Sequence, residues 1–327
     1  MQIQAFDIST LPLRRQETDW LEVAARADGG AWQLPLLYVT GARAGPTLVV
    51  TAAIHGNEYE GVAAIPRIFK QVQPDDLRGT LIMVPVCNMP AYEASLRNSP
   101  IDGLNLARVF PGEAEGTITQ RIAYWIARTL IQPADFFIDF HSGDVDSDIP
   151  TLVGYLHRDD KLGQQSQAAA QAFGAPVLWG HPPPVPPGRT VSAATELGVP
   201  WLYTETPGGG RGTPDDLECY IEGVLNVMKH LEMVPGRPQP RPLTHHLIGD
   251  GDLDRVSSAP TTGFFRPRVA LLDEVIAGQR LGTIQDFFGQ VTAEITADRA
   301  GVVVFLRRLP RVHVGTGLVQ VTGRVGG

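Results

Sequence analysis

Apolar positions along the chain fall into two styles. Residues 46–54, Pro-Thr-Leu-Val-Val-Thr-Ala-Ala-Ile, form a continuous apolar, β-branched run. Such a run suits a strand buried on both faces, as in a parallel sheet. Residues 61–72 follow with apolar side chains at Val62, Ile65, Ile68 and Phe69, a helical spacing that Pro66, near the start, tolerates. Residues 81–86 and 134–140 read as further strands, with a helix over 118–130 between them. Another strand spans 199–204, and a helix covers 217–231. Strands alternating with helices predict an α/β fold, a mixed, mostly parallel sheet flanked by helices. In such sheets ligands gather outside the carboxyl ends of the strands. Three of these strands run into a reactive side chain: His55, His141 and Glu205.

The pattern changes near Pro235. Residues 235–242 hold four prolines and read as a stiff linker. Beyond them come short alternating runs at 263–268, 269–272, 290–295, 302–306 and 318–321, punctuated by Gly and Asp. These predict a smaller C-terminal all-β domain over 236–327, after a catalytic domain over 1–235. A chain of 327 residues accommodates two domains. A second proline cluster, 181–188, lies inside the first domain and reads as a surface loop near the mouth of a site, with a proline-rich ligand motif as the alternative.

Composition narrows the class. Apolar residues make up 43% and charged residues 19%, which excludes disorder. A net charge of −8 argues against a nucleic-acid partner. No stretch reaches the ~18 apolar residues of a membrane span, and the N-terminus lacks the apolar core of a signal peptide. Cys87 and Cys219 are too few for a disulfide framework, so a cytoplasmic location is expected.

His55-Gly56-Asn57-Glu58 sits where a buried strand gives way to a helix, and a turn there can aim an imidazole and a carboxylate at one point. His141, in Asp139-Phe140-His141-Ser142-Gly143, adds a second imidazole at another strand end. Two histidines and a glutamate leave a fourth position open for water, as one catalytic Zn2+ per chain requires. Glu205 ends a further strand and suits a general base. Arg97 and Arg108 offer forks for a carboxylate or a developing oxyanion. The glycines at 208–210 make no dinucleotide fingerprint, since Thr213 takes its sixth position. They read as a mobile loop or a close approach of backbone to ligand.

In order, residues 54–61 (Ile-His-Gly-Asn-Glu-Tyr-Glu-Gly), 102–112 (Asp-Gly-Leu-Asn-Leu-Ala-Arg-Val-Phe-Pro-Gly), 139–143 and 205–209 (Glu-Thr-Pro-Gly-Gly) resemble the succinylglutamate desuccinylase/aspartoacylase family, relatives of the zinc carboxypeptidases. The resemblance covers about residues 30–235. It implies zinc on His55, Glu58 and His141, with Glu205 as catalytic base and acid. It also implies Arg97 polarising the scissile carbonyl and Arg108 gripping a substrate carboxylate. The activity it implies is hydrolysis of the amide bond of a small N-acylated amino acid. One departure bears on the substrate: the family's usual Asn-Arg pair is Ala107-Arg108 here.

Two other signals fail. Asp144-Val-Asp-Ser-Asp148 begins like a calcium loop, but Ile149 replaces the required Gly and Tyr155 the closing Glu. These acids read instead as a solvated loop beside His141 that could repel anions. The C-terminal unit suggests a biotinyl- or lipoyl-like half-barrel, yet the three lysines all lie at or before Lys229, so it carries no lysine-linked group. Two alternatives to the deacylase stay open: a zinc carboxypeptidase acting on peptides, and a non-catalytic binding protein on the same scaffold. A homo-oligomer is compatible with any of them.

Overall fold

A computed structural model describes residues 6–249, 251–252 and 256–325. The chain runs β1 (Arg15–Ala25), β2 (Ala31–Thr40), β3 (Arg43–Ala52), α1 (Glu60–Gln71), β4 (Arg78–Val84), α2 (Met89–Glu93), α3 (Ile118–Trp125), β5 (Phe136–Phe140), β6 (Ser147–Asp148) and β7 (Leu152–Leu156). It continues through α4 (Lys161–Phe173), β8 (Val177–His181), α5 (Thr190–Glu196), β9 (Trp201–Glu205), α6 (Pro214–His230) and β10 (His245–Ile248). The remainder is β11 (Ser257–Ser258), β12 (Gly263–Pro267), β13 (Glu274–Val275), β14 (Arg280–Gln285), β15 (Val291–Thr296), β16 (Gly301–Arg307), β17 (Arg311–Val312) and β18 (Gly317–Arg324).

The main sheet has the order β1-β2-β4-β3-β5-β9-β7-β8-β10-β18-β16-β13. Its centre is parallel from β4 through β3 and β5 to β9. The β7–β9 pair is antiparallel, and β7, β8 and β10 are again parallel to one another. Successive residues of β3 serve opposite faces. Leu48, Val50 and Ala52 pack with α1, α4 and α6, whereas Val49 packs with α3 and α5. Covering helices on both faces are what make an uninterrupted apolar strand stable. The helix expected over 118–130 is α3 continued by a π-helical stretch, Ile126–Ile131.

Beyond the proline segment, β10 joins β8 and passes the sheet on to β18 through an antiparallel contact. A second sheet, β15-β14-β12-β17, is antiparallel throughout and closes over Phe265, Leu281, Ile284, Val303 and Val319. The run at 269–272 is not a strand. Asp273 caps Ala270 N through its side chain and Leu272 adopts φ 68°, which together make a turn. A third cluster, including Leu152, Trp179, Leu247, Val302 and Val304, welds the C-terminal unit to the main sheet. Among the described residues, no helix is long and apolar enough to cross a membrane.

Candidate functional site

The turn after β3 is built by close backbone packing. Asn88 Nδ2 donates to Ile54 O at 3.1 Å, and Asn88 N donates to Ala53 O. A Cβ on Gly56 would lie 2.1 Å from the Ala91 carbonyl carbon in α2, so only glycine fits between His55 and Asn57. This fixes His55 and Glu58 on one side of the turn, both buried. His141 follows β5, where its N donates to Thr204 O at 3.0 Å and its carbonyl accepts from the Tyr220 hydroxyl. The residues after Glu205 cross the same loop: Gly143 N donates to Thr206 O and Gly209 N to Gly143 O. A Cβ on Gly208 would lie 1.6 Å from Gly143 O. The glycine run therefore permits two backbones to touch, a role that residue type alone does not separate from ligand contact.

His55 Nδ1 lies 2.6 Å from Glu58 Oε1, and His141 Nδ1 lies 2.9 Å from Glu58 Oε2. His141 Nε2 lies 2.9 Å from Asp139 Oδ2, a carboxylate that also accepts from the Thr51 and Thr190 hydroxyls. The Asp139 contact assigns a proton to Nε2 and aims the Nδ1 position at the group. Ligand atoms of His55, Glu58 and His141 lie within 4.8 Å of one another, so the three could hold a metal. Two imidazoles and one carboxylate, buried and converging, match the donor set of a divalent cation. Asp139 stood in the quoted motif, but its tie to His141 Nε2 became visible only in the folded chain.

Charge is concentrated here. Burial lowers His55 to about 4, assisted by the nearby Arg97 guanidinium. Burial opposes ionisation of Glu58 too, but His55 and His141 outweigh it and hold the carboxyl far below its usual range. His141 resists its own burial, because Asp139 and Glu58 keep it well above an ordinary imidazole. Glu205 goes the other way: burial and then the Glu58 charge raise it to about 8. Its Oε2 is buried with no hydrogen-bond partner among the described residues.

One cavity of about 380 Å³ is lined by all six residues singled out in the sequence: His55, Glu58, Arg97, Arg108, His141 and Glu205. Arg97 Nη1 reaches Glu58 Oε1 at 3.3 Å and Asp144 Oδ2 at 3.4 Å. Arg108 donates to Ala107 O at 3.0 Å. Ala107 and Asn105 share the wall, but Asn105 Oδ1 accepts from Ala107 N at 2.9 Å and so caps the 3-10 turn Leu106–Arg108. Val185 and Pro186 of the second proline cluster line the cavity as well.

Further wall residues were not singled out as site residues from the sequence, although His181 opens the 181–188 cluster expected near the mouth of a site. His181 bonds Tyr203 OH at 2.8 Å, and Arg189 pairs with Asp252 at 2.8 Å. The C-terminal unit supplies Val256, Val304, Phe305, Arg307 and Gly317. The acids at 144–148 are not the solvated loop expected from the sequence. Asp146 pairs with Arg307 at 2.5 Å, Asp148 with Arg211 at 2.7 Å, and Asp144 with Arg97. Arginines distant in sequence neutralise each of them.

Residues 44–231 match the model of the succinylglutamate desuccinylase/aspartoacylase catalytic domain. The N-alpha-acetyl-L-2,4-diaminobutyric acid deacetylase of Halomonas elongata is 31% identical over 308 residues, covering 93% of this chain and 87% of the relative. The crystal structure of a succinylglutamate desuccinylase from Silicibacter sp. TM1040 superposes with a TM-score of 0.87 at 31% identity, covering 96% of this chain and 97% of that one. The product-bound ectoine utilization protein EutE (DoeB) from Ruegeria pomeroyi gives a TM-score of 0.86 at 32% identity, covering 96% and 98% of the two chains.

Proposed function

We propose, because the chain belongs to the succinylglutamate desuccinylase/aspartoacylase family, that it is a zinc-dependent deacylase cleaving the amide bond of a small N-acylated amino acid. The observation that carries the reading is the convergence of His55, Glu58 and His141 in the cavity that also holds Glu205, Arg97 and Arg108. His55, Glu58 and His141 would hold the ion. Bound zinc supplies Lewis acidity toward water and carbonyl oxygen.

The chain's own groups then divide the work. Glu205, whose Oε2 has no hydrogen-bond partner among the described residues, would in its ionised form take a proton from the attacking water and return it to the leaving amine. Arg97 donates to the carbonyl oxygen as it gains charge. Arg108 binds the substrate carboxylate, with Ala107 leaving that task to fewer polar groups than the family pattern provides. The C-terminal unit supplies Val304 and Phe305 to the cavity wall, which fits a small substrate better than an open peptide groove would. Two buried free thiols, Cys87 and Cys219, support action in the reducing cytoplasm.

The test combines metal analysis with a panel of N-acyl amino acids that includes N-acetyl-L-2,4-diaminobutyrate. We expect about one zinc per chain, amine release from at least one member, and loss of both on chelation. Protein that neither binds zinc nor hydrolyses any member would overturn the reading.

A further inference from the structure

The C-terminal unit reaches the site through two adjacent arginines at the end of β16. Leu306 and Arg307 pair with Asp148 and Ser147 of β6, and Arg308 N donates to Asp146 O at 2.8 Å. Arg308 Nη2 then donates to two carbonyls of the same loop, Asp144 O at 2.6 Å and Ser147 O at 3.0 Å, and lies 3.6 Å from the Asp148 carboxylate. Gly209, at φ 70°, makes room for this guanidinium: a Cβ there would stand 2.9 Å from Nη2. The loop so clamped presents Asp144 to the catalytic side. Asp144 Oδ1 accepts from Asn57 Nδ2 at 2.6 Å, and Oδ2 accepts from Arg97 Nη1 at 3.4 Å. Asn57 lies between His55 and Glu58 in the turn.

We propose that Asp144 and Arg308 are positioning residues: Arg308 fixes the 143–148 loop, and Asp144 on that loop holds Arg97 and the Asn57 turn in register. The C-terminal unit is thereby part of the working site and not an appendage. The physical case is that Asp144 and Arg308 are mostly buried, with side chains 12% and 21% exposed. Buried charges persist only with fixed partners. Arg308 Nη2 alone satisfies both carbonyls, and a lysine, whose ammonium ends one bond short of that nitrogen, does not reach the same position. Arg97 lies in a bend, and its Nη1 takes its direction from two carboxylates, Glu58 Oε1 at 3.3 Å and Asp144 Oδ2 at 3.4 Å, of which Asp144 is the one carried on the clamped loop.

The kinetic part of the test rests on the deacylase reading; the spectroscopic part does not. In zinc-loaded enzyme, Asp144→Asn is expected to lower kcat/KM for N-acetyl-L-2,4-diaminobutyrate roughly 10–100-fold when Arg97 is present, and less than about threefold in an Arg97→Ala background. Equal losses in both backgrounds overturn the proposal, because Asp144 then acts independently of Arg97. Independently of activity, the guanidinium NMR signal of Arg97, assigned by its loss in Arg97→Ala, is expected to be restricted in the wild type. It should become motionally averaged in Arg308→Met and stay averaged in Arg308→Lys, which keeps the charge and much of the packing. A restricted Arg97 signal in a folded Arg308→Lys or Arg308→Met protein overturns the proposal. Should the wild type hydrolyse no N-acyl substrate, the deacylase reading fails while the NMR result still decides whether Arg308 and Asp144 position Arg97.

Discussion

At the scale of single residues, the site gives its two glutamates opposite protonation behaviour. Glu58 lies between two imidazoles and stays ionised, whereas Glu205 has burial and the Glu58 charge against it and rises to about 8. Opposite shifts of neighbouring carboxyls mark different tasks. For Glu205 the folded protein binds the proton more tightly than the unfolded chain does. Its contribution therefore favours folding at low pH, and stability falls as pH rises from about 4.5 toward 8, by at most about 1.4 kcal/mol per pH unit. Glu205→Gln removes that titration. In metal-free protein, melting temperatures of the variant and the wild type should nearly coincide at pH 5 and separate at pH 8, with the variant higher. Parallel melting curves at the two pH values would mean that Glu205 is not held protonated. In zinc-loaded protein the same substitution should retain the metal and lose most turnover.

At the scale of elements, β3, β5 and β9 were legible because burial on both faces leaves a mostly apolar run, broken in β5 only by Asp139 and in β9 only near its end. Edge position hides β1, whose first five residues are polar or charged, whose Trp20 is exposed, and in which only Leu21, Val23 and Ala24 are buried. Helix α4 was missed for another reason: Lys-Leu-Gly-Gln-Gln-Ser-Gln-Ala-Ala-Ala-Gln-Ala-Phe buries small residues such as Ala169 and Ala170, which give a weak apolar stripe. The site residues that end strands were visible as reactive side chains after apolar runs. Arg308 was not, since its partners at Asp144 and Ser147 lie more than 160 positions earlier. Helix α6 shows how an element serves the site from outside it. Tyr220 stacks on Phe140 with ring centroids 4.6 Å apart, and its hydroxyl donates to the His141 carbonyl. Tyr220→Phe keeps the stack and deletes the hydrogen bond, costing about 1 kcal/mol. A melting temperature lower by roughly 2–4 °C with unchanged metal content is the expected result. Loss of metal instead would show that the hydroxyl, and not the β5 backbone, places His141.

At the scale of the whole molecule, the sign of the charge runs against the proposed chemistry. The chain carries a net −8, yet Arg97, Arg108, Arg189 and Arg307 all face the cavity. Glu58, Asp144, Asp146 and Glu205 line the same cavity, so the local contacts are mixed in sign, and they act at a different range from the net charge. Contacts inside a partly buried cavity are screened little by salt, whereas the field of the whole surface extends about 30 Å at 10 mM ionic strength and about 8 Å at 150 mM. A singly anionic N-acyl amino acid approaching at low salt therefore meets repulsion that 150 mM salt mostly removes, worth about 0.4 kcal/mol or a factor of about two. Its kcat/KM should rise about twofold between those ionic strengths. A zwitterionic substrate such as N-acetyl-L-2,4-diaminobutyrate carries no net charge and should change little over the same range. A fall for the anion would mean that the cavity arginines govern encounter as well as binding, and that the acidic surface is turned away from the entrance.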